Sequence, residues 1–286
     1  MNDYLAAVIL GIVEGLTEFL PISSTAHIRV AQLILQQSAT SSYWKMFAVV
    51  IQLGAILSVV VYFKSRLWDF IKSFPKTAKG NRGWRNHPLA LVAISFTVTA
   101  IGCLLVDKTI GANLERLTVM GWALIVGGIL MWGIDWHFGQ RASTFEVQDA
   151  SIGQALFIGF TQIFAAVFPG TSRSMATIAG GQFMGMSRSA ALEFSFLLSI
   201  PVMFTATGFK LLQFLIGRNA LDRDPMTMER WAVLSIGFMV SFVTAWAVIA
   251  WFMGWVKKHG FVPFAVYRLV AGTLILAWAY RWFSST

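Results

Sequence analysis

Gly11-Ile-Val-Glu-Gly-Leu-Thr-Glu-Phe-Leu-Pro21-Ile-Ser-Ser24 carries an apolar segment into an abrupt stop. The apolar run extends from Leu5 to Leu20, breaks at Pro21-Ile22-Ser23-Ser24-Thr25, and resumes as Ala26 to Leu35. A second stretch, Gly159-Phe-Thr-Gln-Ile-Phe-Ala-Ala-Val-Phe-Pro169-Gly-Thr-Ser172, aligns on it without gaps. Gly, Phe/Leu-Pro and the hydroxyl pair coincide, and Glu14 falls opposite Gln162. This second run, Ile152 to Phe168, breaks at Pro169-Gly170-Thr171-Ser172-Arg173 and resumes as Ser174 to Met184. Neither resumed piece is long enough to cross a bilayer at roughly 1.5 Å per residue. Each broken segment therefore predicts a re-entrant helical hairpin, which enters the membrane, turns near its middle and leaves on the same side.

Six uninterrupted apolar stretches surround the hairpins, at about 44–63, 89–106, 117–137, 190–214, 231–256 and 261–282. Of 286 residues, 57% are hydrophobic and only 12% charged, about half the charged share of a soluble domain. The 24 Phe and 12 Trp argue against intrinsic disorder. Cys103 is the only cysteine, which excludes an intrachain disulfide scaffold. The first apolar run follows Met1-Asn2-Asp3, acidic rather than basic, and is not read as a cleavable signal. The expectation is an all-α polytopic membrane protein with six transmembrane helices and two re-entrant hairpins, forming a single integral-membrane domain. Residues 1–138 form the first repeat, with its hairpin at 4–36, and residues 151–286 the second, with its hairpin at 152–184. Each repeat is a hairpin plus three spans. Three is odd, so the two halves lie in opposite orientations, an inverted-topology repeat.

Lys and Arg number 22 against 13 Asp and Glu, a net charge of +9. The segment from Lys64 to Arg85 supplies +6 of it. Apolar runs on either side favour a cytoplasmic loop against anionic lipid over nucleic-acid binding, so no nucleic-acid partner is expected. With the loop 64–88 in the cytoplasm, 107–116 lies outside, 138–151 inside, 215–230 outside, and Lys257-Lys258 inside. Both termini then face the periplasm or cell exterior, with one hairpin dipping in from outside and the other from the cytoplasm.

Glu14 and Glu18 are four residues apart and share one helix face. Carboxylates in an apolar stretch line an aqueous cavity or meet a cation, and two on one face can hold a divalent metal. Ser23, Ser24 and Thr25 open the second helix of the hairpin, where hydroxyls cap and free N–H groups attract anions. His27, one turn beyond Ser24, is an acid/base candidate. At the second break Thr171, Ser172, Ser174 and Thr177 supply hydroxyls, and Arg173 a planar, permanently charged fork suited to phosphate oxygens. A phosphate ester or anhydride bridged by a divalent cation satisfies both breaks. Because the site is reached through the membrane, the substrate is expected to be a lipid, and the reaction phosphoryl transfer from a lipid pyrophosphate. A transporter or flippase for a prenyl-phosphate lipid is the alternative, since broken helices in an inverted repeat are also a transporter architecture.

Glu14-Gly-Leu-Thr-Glu18-Phe-Leu-Pro-Ile-Ser-Ser-Thr-Ala-His27 and Pro169-Gly-Thr-Ser-Arg-Ser174 resemble the two signature segments of the undecaprenyl-pyrophosphate phosphatases, the bacitracin-resistance family. Val49-Val-Ile-Gln-Leu-Gly54 (with Gln52), Glu193-Phe-Ser-Phe-Leu-Leu198 with Pro201, and Phe261-Val-Pro-Phe-Ala-Val-Tyr-Arg268 extend the resemblance along nearly the whole chain in the family's order. It implies hydrolysis of undecaprenyl pyrophosphate to undecaprenyl phosphate and phosphate, which recycles the carrier lipid for cell-wall synthesis. It further implies a site open to the periplasm and a divalent cation, Mg²⁺ or Ca²⁺. Carried over by position, Glu14 and Glu18 are the acidic, metal-holding motif, Ser24 the nucleophile, His27 its acid/base partner and Arg173 the pyrophosphate clamp. Ser23, Thr25, Gln52, Thr171, Ser172, Ser174 and Thr177 are auxiliary substrate contacts. The partners expected are the prenyl pyrophosphate, membrane lipids and, as an option, a second copy in a homodimer. The family commonly has Gly where this chain has Ala26 and Met175; Met175 is expected either to narrow the site or to line the lipid groove.

Overall fold

The computed structural model describes residues 2–37, 41–76, 84–106, 116–215 and 226–284, and the statements below concern these residues. They form eleven α-helices: α1 Asp3–Thr17, α2 Ser24–Ile34, α3 Ser42–Tyr62, α4 Lys64–Ser73, α5 Pro88–Leu105, α6 Leu117–Phe138, α7 Ile152–Val167, α8 Arg173–Phe183, α9 Arg188–Leu215, α10 Met228–His259 and α11 Val262–Ser284. Two 3₁₀ turns, Trp84–Asn86 and Val147–Asp149, join some of them. Six helices, α3, α5, α6, α9, α10 and α11, are long and apolar enough to cross a membrane. Their bounds lie within a few residues of the apolar stretches, because in lipid only a helix satisfies every backbone group from within. Leu104, Leu105 and Trp136 are more than three-quarters exposed, the pattern of a helix whose outer face meets hydrocarbon rather than water. The protein is a multi-pass helical membrane protein.

Local chemistry sets the helix starts. The Asn2 side chain accepts the Tyr4 N–H at α1, and Ser151 and Gln154 form a reciprocal capping box at α7. At α5, Pro88 occupies the first turn, where its missing N–H costs nothing, and His87 Nδ1 accepts the Leu89 N–H at 3.2 Å.

Both broken segments are helical hairpins in outline, α1–α2 and α7–α8. The helices restart at Ser24 and Arg173, slightly before the Ala26 and Ser174 expected. The gap-free alignment of the two breaks needs a correction. Ser23 has φ 74° and Ser172 has φ 71°, and each immediately precedes its helix. The left-handed serine thus follows Pro21 by two residues but Pro169 by three, so the second break is one residue longer. The expected loop after α3 is a second correction, since Lys64–Ser73 is helical. Phe70 faces inward, while Trp68, Ile71 and Phe74 are exposed beside Lys64 and Lys72, an amphipathic surface helix. Lys79, Arg82, the loop 107–115 and residues 216–225 of the loop 215–230 lie outside the described residues.

The chain divides into two compact units, each drawing on both ends of the sequence. The first comprises Met1–Phe19, His27–Tyr62 and Ser199–Trp251. Its core gathers Leu10 of α1, Tyr43, Trp44, Phe47 and Ile51 of α3, and Val233 of α10. Gly15 lets α1 and α10 approach: a Cβ there would stand 2.8 Å from the Ser241 carbonyl oxygen. The Ser241 hydroxyl donates to Ile51 O at 2.8 Å, and Tyr43 donates to Arg230 O at 2.9 Å.

The second unit comprises Leu20–Ala26, Phe63–Leu198 and Phe252–Thr286. Helices α6 and α11 pack backbone to backbone at Gly121 and Gly272; a Cβ on Gly272 would fall 2.7 Å from Gly121 O. Helix α7 lies on α5, where Thr99 donates to Gly159 O at 2.9 Å and Gln162 Nε2 donates to Thr99 Oγ1 at 3.2 Å. Asp135 closes one end. Its carboxylate accepts from Arg188 Nε (2.8 Å) and Nη2 (3.0 Å), Gln182 Nε2 (2.9 Å) and the Phe261 N–H (3.0 Å), tying α6, α8, α9 and the start of α11 together. Arg66 of α4 pairs with Glu193 of α9 at 2.8 Å.

Candidate active site

In the first unit, Glu18 continues the α1 turn: its N–H donates to Glu14 O at 2.9 Å with helical φ and ψ. The two carboxylates therefore stand one turn apart on one face. Glu14 is 0% exposed and Glu18 7%, and burial this deep requires a cation, a proton or strong hydrogen-bond donors. Among the described residues no three His, Cys, Asp or Glu side chains come together. A complete protein cage for a metal is thus absent there, but a carboxylate pair fits the habit of Mg²⁺, which keeps waters and takes substrate phosphate oxygens as further ligands. Also in this unit are the half-buried His27 of α2 and Gln52 of α3.

The second unit brings the two breaks together. Ser23 and Ser24 are buried, Thr25 exposed. Ser174 Oγ donates to Leu20 O across the breaks at 3.0 Å. Its lone pair then accepts the Ser172 hydroxyl at 3.0 Å, and Ser172 Oγ in turn accepts the Met175 N–H at 3.3 Å. This chain of hydroxyls caps α8 while stitching it to the first turn. Thr177 Oγ1 lies 2.6 Å from Ser195 Oγ and 2.9 Å from Arg173 O. Arg173 Nη1 donates to Ser195 O at 3.2 Å, so the guanidinium is oriented from α9. Thr171 is half-buried at the turn. Two helix starts, each preceded by a left-handed serine, therefore meet in one unit with an arginine at the first position of one of them. Such starts present backbone N–H groups and the positive end of the helix dipole, the ingredients of a phosphate site.

Met175 is buried, its methyl 2.7 Å from where a Gly127 Cβ would stand. It fills space between α8 and α6, a packing role that neither expectation for it included. A hollow of about 530 Å³ lies at the end of α6, with Asp135, His137, Arg141 and Arg188 among its lining residues, and none of the expected site residues borders it.

Sequence reasoning left out Arg268, which donates to Pro21 O and Gly170 O; Ser195, which touches both Arg173 and Thr177; and the Asp135 and Glu193 ion pairs. The signal was available for three of them: Asp135, Glu193 and Arg268 are charges inside predicted spans, and each implies a partner.

Known proteins resemble this chain along nearly its whole length. The family model described as bacitracin resistance protein BacA matches residues 7–274. An undecaprenyl-diphosphatase of Koribacter versatilis (strain Ellin345) is 52% identical over 98% of this chain and 100% of its own length. One from Caldanaerobacter subterraneus subsp. tengcongensis is 40% identical over 96% of each chain. Another, from Xanthomonas axonopodis pv. citri (strain 306), is 38% identical over 97% of this chain and 98% of its own.

Proposed function

The chain belongs to the bacitracin resistance protein BacA family, and we propose on that premise that it hydrolyses undecaprenyl diphosphate to undecaprenyl phosphate and inorganic phosphate, regenerating a carrier lipid for cell-wall synthesis. The observation that carries the reading is the pair of serine turns joined within one unit, with Ser174 on Leu20 O and Arg173 opening α8. A lipid diphosphate has the charge, the oxygens and the membrane anchorage for such a site.

In the mechanism proposed, the Arg173 fork and the N–H groups at the starts of α2 and α8 neutralise the charge that develops on the transferred phosphoryl. The Ser24 hydroxyl, or a water in its place, attacks the terminal phosphorus while the bond from that phosphorus to the bridging oxygen breaks and undecaprenyl phosphate leaves with that oxygen; after attack by Ser24, water cleaves the resulting phosphoserine ester and frees inorganic phosphate. His27, one helical turn from Ser24, takes the attacking proton and returns it later in the cycle. Ser23, Thr25, Thr171, Ser172, Ser174, Thr177 and Gln52 orient the substrate. Glu14 and Glu18 would hold a divalent cation, Mg²⁺ or Ca²⁺, which when bound supplies positive charge to the pyrophosphate oxygens. We place the protein in the bacterial inner membrane with both termini and the site on the periplasmic side, which the basic residues between Lys64 and Arg85 support. A second copy in a homodimer is a further proposed partner, to be read by light scattering in detergent.

Purified protein given a prenyl diphosphate and Mg²⁺ should release one phosphate per lipid monophosphate formed, and Arg173→Ala should not. Lipid binding without phosphate release would overturn the enzyme reading in favour of lipid transport. For orientation, a cysteine placed at Lys258 in a Cys103→Ser background should react with an impermeant thiol reagent only after the cells are opened.

A further inference from the structure

Arg268 sits inside the membrane-spanning helix α11 and is 0% exposed. Among the described residues its hydrogen-bond partners are four backbone carbonyls. Nε donates to Leu124 O at 3.3 Å and Nη2 to Ala123 O at 3.0 Å, which fixes the guanidinium against α6. Nη1 donates to Pro21 O at 3.0 Å, and Nη2 also to Gly170 O at 3.2 Å. These last two oxygens belong to the two breaks, each two residues ahead of the left-handed serine of its turn. Backbone that leaves a helix inside a membrane loses its helical donors and must be satisfied from elsewhere. Here a single planar fork satisfies one carbonyl of each turn at once.

We propose that Arg268 is a positioning residue for phosphate transfer: by bridging Pro21 O and Gly170 O it holds the Ser23–Ser24 turn and the Ser172–Arg173 turn in one register. The inference rests on the function proposed above, since it is the substrate that requires the two helix starts to be aligned. The guanidinium reaches no reacting atom; it acts through the turns. A lysine keeps the charge but offers a compact ammonium in place of the fork, so it cannot reproduce the two-turn bridge. Gly127 provides an independent handle. A Cβ there would come within 2.2 Å of Arg268 Nη2, pushing the guanidinium aside while leaving it in place chemically. A Cβ on Gly133 of the same helix would meet nothing within 4 Å, so that position serves as the control.

The test is steady-state kinetics on a prenyl diphosphate with Mg²⁺, alongside thermal melting, for wild type, Arg268→Lys, Gly127→Ala and Gly133→Ala in nanodiscs. Displacements of about 1 Å in a positioned site can cost about 10²-fold in rate. Arg268→Lys and Gly127→Ala should each lower kcat at least about tenfold with KM within about twofold, the split that marks an interaction needed in the transition state. Gly133→Ala should match wild type. Variants that melt earlier but keep wild-type kcat per folded molecule would reduce Arg268 to a packing role and overturn the proposal, as would a loss confined to KM. If Arg268→Lys does not fold, Gly127→Ala decides when repeated in a Met175→Ala background, because its Cβ would also stand 2.7 Å from the Met175 methyl; a kcat loss that persists there belongs to Arg268, and one that vanishes there overturns the proposal. A wild-type protein that releases no phosphate would count against the function itself, whereas an active wild type with unimpaired variants counts against Arg268 only.

Discussion

Asp135→Ala removes the acceptor that four donors share. The carboxylate is 0% exposed and its main partner, the Arg188 side chain, 23%. Deleting it leaves a guanidinium, the Gln182 amide and the Phe261 N–H without their acceptor. Breaking a buried pair from one side costs roughly 3–5 kcal/mol, and the partial exposure of Arg188 places this case near the lower end, about 3 kcal/mol. For a chain of this general size, about 2–4 °C of melting temperature accompanies each kcal/mol, so a fall of about 6–12 °C is expected. The assay is a tryptophan-fluorescence melt in detergent. Arg188→Ala alone should cost at least as much, because it strands a buried carboxylate. The double variant should fall short of the sum of the two, since removing both charges leaves neither uncompensated. Below the melting range, phosphate release per folded molecule should stay near wild type, because Asp135 lies at the end of α6, away from the serine turns. A melting temperature within about 2 °C of wild type for Asp135→Ala would refute this account of the staple.

Glu18→Gln, His27→Ala and Arg173→Ala should each lower the rate of phosphate release at least about 10²-fold in protein that still melts cooperatively, with Cys103→Ser unchanged; wild-type activity in His27→Ala would move the acid/base role to another group. Chelation with EDTA should abolish release and added Mg²⁺ or Ca²⁺ restore it, while Glu14→Gln should raise the cation concentration needed for half-maximal rate. Burial pushes His87 below the usual histidine value. Its unfolded form therefore binds more protons, and the stability it contributes is complete above about pH 6.5 and declines as pH falls from there toward the folded value. The Leu89 amide, which His87 Nδ1 caps, should exchange faster at pH 5.5 than at 7.5 after correction for intrinsic rate, and His87→Asn should remove most of that difference.

The six spans and two hairpins were readable because a membrane-crossing helix needs about 20 apolar residues and the proline-hydroxyl breaks stand out against such runs. Helix α4 was not, since its apolar residues are few and the basic ones dominate the eye; Leu67 and Phe70, three residues apart on one face, were its trace. The hydroxyls of the breaks could be picked out by type, but not their division of labour. Ser172 and Ser174 bond to each other and to Leu20 O, a choice set by the turn conformation. Arg268 stands more than two hundred residues from Pro21, and no local pattern announces a side chain whose partners are backbone oxygens. Asp135 fell within a predicted span, but only packing reveals that Arg188, Gln182 and Phe261 converge on it.

The extra residue in the second break has a consequence beyond its own loop. With the left-handed serines taken as equivalent, the residue that begins the helix is Ser24 in one case and Arg173 in the other. Two identical copies of the earlier segment would offer a pair of hydroxyls and no fixed cation; two of the later would offer cations and no hydroxyl at that station. The longer turn thus makes the two breaks unlike, with a hydroxyl at the start of one helix and a guanidinium at the start of the other, and neither can replace the other.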